Sequence, residues 1–406
     1  MGQFRSFAFA TLALCLAGGA PDAGAQASAP IKIGDINSYS AMALFTEPYR
    51  RGAQLAVEEL NAAGGVLGRK LEVIFRDDAM KAGDAITQAE QLTTGEKVVV
   101  LAGGFSSSVC LAVADYAERK KIPYVCGISG SDAIVWEKGN AFTFRTNQST
   151  HMMATLLAQE AAKLPAKRWA TVAPNYEFGT SFVAAFKKQL GALRPDVQWV
   201  SEQWPAVGKL DAGPIIDSLN AAKPEAIFNG TFGTDLIRLA REGNTRDFFK
   251  NRSVASGLTG NPEFLEALKD ETPEGWIATG YPWDTYDSPA HARFKKAYEA
   301  RFRDHPRWYS IIGYITYKAI GSAIAKANST DGEAIAKALK GLTLDTPLGP
   351  VTYRAADHQA NIPSFIGKLA KRDGKGHFVD WRLVPGDQTL PTPAEAAKLR
   401  PASAGK

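Results

Sequence analysis

Val98-Val99-Val100-Leu101-Ala102-Gly103-Gly104-Phe105-Ser106-Ser107-Ser108 is the stretch on which the fold can be read. Val98 to Ala102 is apolar at every position, as a strand buried on both faces of a parallel sheet must be. Two glycines break the run and three serines follow. Val109 to Lys120 then reads as a helix and Ile122 to Cys126 as the next strand. Strand, glycine turn, helix and strand make the repeating unit of a parallel α/β sheet. The loop has two readings. Glycines let backbone approach a ligand, a helix start offers free N–H groups and partial positive charge, and hydroxyls add donors, which together suit a carboxylate. Equally, a serine N-cap beside a glycine turn requires no ligand.

The same alternation extends in both directions. Upstream, Ile31 to Ile36 alternates like a strand, and Tyr49 to Ala62 places Ala53, Ala56, Val57 and Leu60 on one helical face before Gly64-Gly65 closes it. A strand at Leu71 to Phe75 and a helix at Gly83 to Thr93 lead into the central stretch. Downstream the pattern breaks at Arg145 to Ser149 and restarts as a second α/β unit, with strands at Arg168 to Ala173, Val197 to Gln203, Ala226 to Asn229 and Ser253 to Ser256. Beyond Tyr281-Pro282-Trp283 long helices take over, Pro289 to Arg303 and Ser310 to Asn328, and after Pro350 the chain turns β-rich. Two α/β units followed by pieces with no sheet of their own mean that the chain crosses between lobes more than once. A ligand then belongs in the cleft, at the C-terminal ends of the strands.

Length and composition agree with an ordinary globular chain of 406 residues, 45% hydrophobic and 22% charged. The first 25 residues read as a cleaved signal peptide: Arg5, an apolar run from Phe7 to Leu16, and Ala23-Gly24-Ala25 before Gln26. The run is too short to span a bilayer of ~30 Å. Leu14 before Cys15 argues against lipidation, and no later stretch is long and apolar enough to span. The mature chain is therefore expected in a periplasm. Its formal charge of +5 is mild and interleaved, without the dense basic patch of a nucleic-acid binder. Cys110 and Cys126 remain after processing; they either form a disulfide or sit as two small buried hydrophobes.

The second small-polar loop, Gly127-Ile128-Ser129-Gly130-Ser131, follows the next strand and shares the sheet edge with the first. In the second unit Asn175-Tyr176-Glu177-Phe178-Gly179 and Asn229-Gly230-Thr231-Phe232-Gly233 occupy the corresponding positions, each with an aromatic ring beside a glycine. Rings on loops suit a ligand clamp. Enzyme signatures are missing: there is no G-x-S-x-G, P-loop, H-E-x-x-H or G-x-G-x-x-G. The five histidines have no metal-ligand spacing, and neither metal nor cofactor is expected. Asp77-Asp78 reads as a strand-end turn and Asp357-His358-Gln359 as structural.

Taken in order, Ile33 to Ser38, the stretch Gly52 to Gly68 with Asn61-Ala62-Ala63-Gly64-Gly65-Val66-Leu67-Gly68, the Gly103 to Ser108 loop and Tyr176 to Gly179 resemble the leucine/isoleucine/valine-binding protein family, the type I periplasmic receptors of ABC importers. The resemblance runs from about Ile31 to Val384. It implies two Rossmann-like lobes, each a three-layer α/β/α sandwich, joined by three crossover strands and closing on a ligand. On that plan residues 26–147 and 282–348 form lobe 1, residues 148–281 and 349–385 form lobe 2, and residues 386–406 are a tail. The resemblance also assigns roles. Ser106, with Ser107 beside it, holds the ligand carboxylate, and Ser129 and Ser131 stand at companion positions. Phe45 meets the ligand side chain, as do Tyr176 or Phe178 and Thr231 or Phe232 from the other lobe.

One departure stands out. Amino-acid binders of the family carry an acid after a second-lobe strand to pair with the ligand's ammonium, whereas here the loop reads Ser256-Gly257-Leu258-Thr259-Gly260-Asn261. A buried unpaired ammonium costs several kcal/mol. Either Glu47, Glu177 or Asp235 replaces the acid, or the ligand has no ammonium and Leu258 faces an apolar body. The expected function is therefore capture of a small carboxylate-bearing solute of the branched-chain amino acid and amide class, or of an aromatic or aliphatic acid, for an inner-membrane ABC permease. The receptor is expected to be monomeric and without enzymatic activity. A ligand-sensing regulator on the same fold is the alternative from another class.

Overall fold

The computed structural model describes residues 1–3 and 29–401. The targeting segment expected at residues 1–25 lies outside the described residues apart from its first three, and so does Cys15. Among the described residues no helix is long and apolar enough to cross a membrane.

The first sheet is built from β1 (Ile31–Asn37), β2 (Leu71–Asp77), β3 (Val100–Gly103), β4 (Tyr124–Cys126) and β5 (Thr143–Arg145), all parallel, in the order β2-β1-β3-β4-β5. Every residue of β3 is buried, as its unbroken apolar sequence requires. The connections are α1 (Ala43–Ala62), α2 (Ala82–Glu90) and α3 (Ser107–Lys120). Because β2 and β3 lie on opposite sides of β1, their connections diverge and leave a crevice at the C-terminal ends of β1 and β3.

After β5 the chain crosses to the second unit. Ser149 caps α4 (Thr150–Ala161) by accepting from the Met152 N–H at 3.0 Å. There follow β6 (Arg168–Val172), α5 (Glu177–Leu193), β7 (Gln198–Gln203), α6 (Ala212–Ala222), β8 (Ala226–Asn229), α7 (Gly233–Thr245), β9 (Ser253–Gly260), α8 (Pro262–Leu268) and β10 (Ile277–Gly280). The sheet is completed late by β13 (Ser364–Arg372) and β14 (Lys375–Val384), an antiparallel hairpin, giving the order β14-β13-β10-β9-β8-β6-β7. Here β7 and β8 flank β6, so a second crevice opens at the ends of β6 and β8.

Between β10 and β13 the chain returns to the first unit. Ser288 and Pro289 start α9 (Pro289–Phe302), which is followed by α10 (Trp308–Ala327) and α11 (Gly332–Leu339). Helix α10 lies on α1 at a glycine crossing: a Cβ on Gly52 would strike the Ser310 carbonyl, and one on Gly313 the Tyr49 carbonyl. Strands β11 (Thr343–Thr346) and β12 (Gly349–Thr352) pair only with each other. The return to the second sheet expected at residue 349 therefore begins later, at Ser364, because residues 349–352 complete a local hairpin. The tail, from residue 386, runs on from β14. It forms α12 (Pro393–Leu399) and docks through Arg354 on the Pro391 carbonyl and Arg400 on the Asn140 carbonyl, at 2.7 and 2.9 Å.

Candidate functional site

The loop after β3 is shaped by its glycines. Gly103 and Gly104 have φ of +104° and +84°, and a Cβ on Gly104 would collide with Cys110 Sγ and the Tyr124 hydroxyl. Cys110 and Cys126 are joined as a disulfide with Cα atoms 6.2 Å apart, tying the start of α3 to the end of β4. The loops after β3 and β4 are stitched further by Ser107 and Ser129, whose hydroxyls lie 2.6 Å apart, and by the Ser129 N–H donating to the Gly104 carbonyl at 3.0 Å. Ser106 is the N-cap residue of α3, yet its buried hydroxyl makes no capping bond.

Rings from both units close over these loops. Phe45, at the start of α1, stacks on Phe105 with centroids 5.2 Å apart and meets Phe232 edge-on at 5.9 Å and Tyr309 at 5.4 Å. Tyr176 and Phe178, before and within the first turn of α5, reach the same Phe232 at 6.3 and 5.8 Å. Burial pushes the phenols of Tyr176 and Tyr309 far above their ordinary range, so both remain neutral hydrogen-bond donors. The space between the units is about 30 Å³, bounded by these rings with Ser129, Gly130, Asn147 and Leu258. Leu258 is a non-glycine residue at φ +67°, a strained conformation of the kind that collects at functional sites.

The sequence-predicted residues divide into two groups. Phe45, Ser129, Tyr176, Phe178, Phe232 and Leu258 line the cavity. Ser106, Ser107, Ser131 and Thr231 do not. Ser107 supports Ser129, and Ser131 donates to Glu177 across the cleft at 2.6 Å, so its hydroxyl holds the units together. Thr231 turns back to Asn229 Oδ1 at 2.7 Å. The three candidate ammonium partners are each engaged elsewhere: Glu47 pairs with Arg51 at 3.5 Å, Glu177 holds Ser131, and Asp235 accepts the N–H groups of Gly208 and Leu210 at 2.6 and 3.1 Å. Asp77 and Asp78 cap their turn, accepting from the Ser40 N–H and the Ser38 hydroxyl. Sequence reasoning missed Phe105, Asn147, Met153 and Tyr309. Phe105 stands inside the decisive loop, whereas Tyr309 arrives from the far end of the chain and left no local signal.

No acidic side chain lines the cavity among the described residues. Glu263 on α8 comes nearest in character: it is buried, neither carboxylate oxygen has a partner, and burial raises its pKa to about 8. What the cavity offers is a ring-rich lining with the Ser129 hydroxyl, the Asn147 amide and the phenols of Tyr176 and Tyr309 as its polar side chains.

Comparison with known proteins agrees with the two-sheet fold. A family model described as periplasmic binding protein matches residues 30–375. The Leu/Ile/Val-binding protein homolog 7 of Brucella abortus (strain 2308) is 26% identical over 375 residues, covering 86% of this chain and 91% of its own. Among solved structures, a solute-binding protein of an ABC transporter from Rhodopseudomonas palustris BisB5, in complex with 3,4-dihydroxybenzoic acid, superposes with TM-score 0.80 at 23% identity, covering 90% of this chain and 99% of that one. An amino acid ABC transporter substrate-binding protein from Pseudomonas fluorescens Pf-5 gives TM-score 0.79 at 24% identity, covering 91% and 99%.

Proposed function

The chain belongs to the periplasmic binding protein family, the non-enzymatic solute receptors of ABC transporters, and from that premise we propose that its cargo is an aromatic carboxylate without an amino group. Exported by its leader peptide, a single chain captures the acid in the periplasm and passes it to an inner-membrane permease.

The observation that carries this reading is the lining of the cleft: rings from both lobes, and no acid among them. An aromatic ring stacked among Phe45, Tyr176 and Phe232 is desolvated by surfaces of its own kind. Its carboxylate then faces Ser129 and Asn147, where charge-assisted hydrogen bonds contribute roughly 1.5–3 kcal/mol each. An α-ammonium entering the same chamber would lie buried without a counter-charge, at a cost of several kcal/mol. That cost outweighs any single hydrogen bond gained. The acid held by the Rhodopseudomonas palustris neighbour is a ligand of the proposed kind. With about 30 Å³ between the lobes, a ring of this size enters as they part on their crossovers, a hinge motion.

Glu263 favours a second reading. Its unpartnered buried carboxylate is the kind of counter-charge that an amino acid's ammonium would need. A thermal-shift panel separates the two. Benzoate and 3,4-dihydroxybenzoate are expected to raise the melting temperature at concentrations where leucine and phenylalanine leave it unchanged, since ligand at ~100-fold excess over Kd adds about 2.7 kcal/mol. Shifts with the amino acids alone would sink the aromatic-acid reading.

A further inference from the structure

We propose that Arg145 is a positioning residue that locks the Ser129–Ser131 loop to the hinge, so that a ligand carboxylate meets donors already in place; the ligand half of this inference rests on the reading above. Arg145 ends β5 where the chain leaves the first sheet, and it is fully buried. Its Nη1 donates to the carbonyls of Gly130, at 3.1 Å, and Ser131. Its Nε donates to Gln359 Oε1, on the last segment to cross between the sheets. The two crossovers are also zipped along their backbones: Arg145 N–H donates to the His358 carbonyl at 3.1 Å, and Ala360 N–H to the Arg145 carbonyl at 2.9 Å.

The connection closes on itself. Gln359 Nε2 donates to the Asn147 carbonyl at 2.8 Å, and Asn147 Nδ2 donates to the Ile128 carbonyl at 2.6 Å, at the head of the same loop. Trp308, at the start of α10, completes the ring by donating to Asn147 Oδ1 at 3.0 Å. Asn147, Ser129 and Gly130 all face the cavity. One guanidinium thus serves three acceptors on two segments. A lysine cannot do so, because its donors radiate from a single point, whereas arginine's lie in a rigid plane. Burying the group is expensive, and its Nη2 has no partner. An apolar side chain would fill the space at lower cost but would leave the loop carbonyls unheld.

The test compares the full mature chain with Arg145→Lys and Gln359→Leu, reading amide exchange and binding of benzoate against benzamide, its neutral counterpart. Exchange at Ser129 and Ser131 is expected to quicken about tenfold or more in either variant while β3 stays protected. Benzoate Kd is expected to rise about tenfold, and benzamide Kd no more than about threefold. Should Arg145→Lys fail to fold, Gln359→Leu still cuts the hinge link and leaves the loop bonds in place. Unchanged loop exchange would overturn the proposal, as would equal weakening of both ligands. If the unmodified chain binds no benzoate, the aromatic-acid reading fails, and loop exchange alone still decides what Arg145 does.

Discussion

Glu263 and Asp35 are carboxyls that the fold buries without a cation bound to either. Desolvation raises Glu263 from 4.5 to about 8 and Asp35 from 3.8 to about 6, the latter despite hydrogen bonds from the Tyr39 and Tyr317 hydroxyls. A folded pKa above the unfolded one means that the native state holds its proton where the unfolded chain has released it. Stability therefore falls as pH rises between the two values and is flat above the higher one. For Glu263 that window runs from 4.5 to about 8. Chemical denaturation of Glu263→Gln should give a variant that gains on the unmodified chain as pH climbs from 5 to 8, reaching a few kcal/mol. The variant should keep the earlier loss that Asp35 imposes below about 6. Parallel curves for the two proteins would show that Glu263 finds a counter-charge. Neither burial is legible in sequence, because Glu263 sits in an ordinary Asn-Pro-Glu helix start and its isolation depends on Tyr281, Tyr309 and Arg307 arriving from elsewhere.

Among the elements, two glycines in helices have opposite meanings. Glycine inside a helix normally costs about 1 kcal/mol relative to alanine. Gly191 in α5 has nothing within 4 Å of where a Cβ would stand, so Gly191→Ala should stabilise by about 0.5–1 kcal/mol. Gly313 in α10 abuts the backbone of α1, and backbone cannot swing aside as a side chain can. Gly313→Ala should destabilise by about 1–3 kcal/mol despite the better propensity. Melting curves of both variants check the pair, and a stabilised Gly313→Ala would mean that the helices do not cross at contact distance. The strand and helix succession was legible because buried parallel strands are short apolar runs closed by glycine or polar turns. The exceptions have physical causes. β9 continues to Gly260 through a left-handed Leu258, which no propensity favours, and residues 343–352 pair locally because Thr346 and Gly349 make a tight turn there.

At the scale of the molecule, both sheets reverse their strand order at a crevice, and the chain sets the two crevices face to face. The loops after β1, β3 and β4 then oppose those after β6 and β8, which is why Ser129, Tyr176, Phe178 and Phe232 could be picked out as candidates from their strand-end loops, whereas Phe45 came from the family resemblance alone; all five line one cavity. Their division of labour was not visible. That Ser131 bridges to Glu177, and that Glu266 on α8 pairs with Arg307 at 3.1 Å, depends on how the lobes meet. The central claim is that this meeting encloses a ring and a carboxylate with no place for an ammonium. Titration calorimetry of the mature chain with benzoate and with leucine tests it most directly. The account expects benzoate to bind at least about 100-fold more tightly, the equivalent of roughly 2.7 kcal/mol, and with the negative heat-capacity change of apolar burial. Leucine binding as tightly as benzoate, or more tightly, would contradict it.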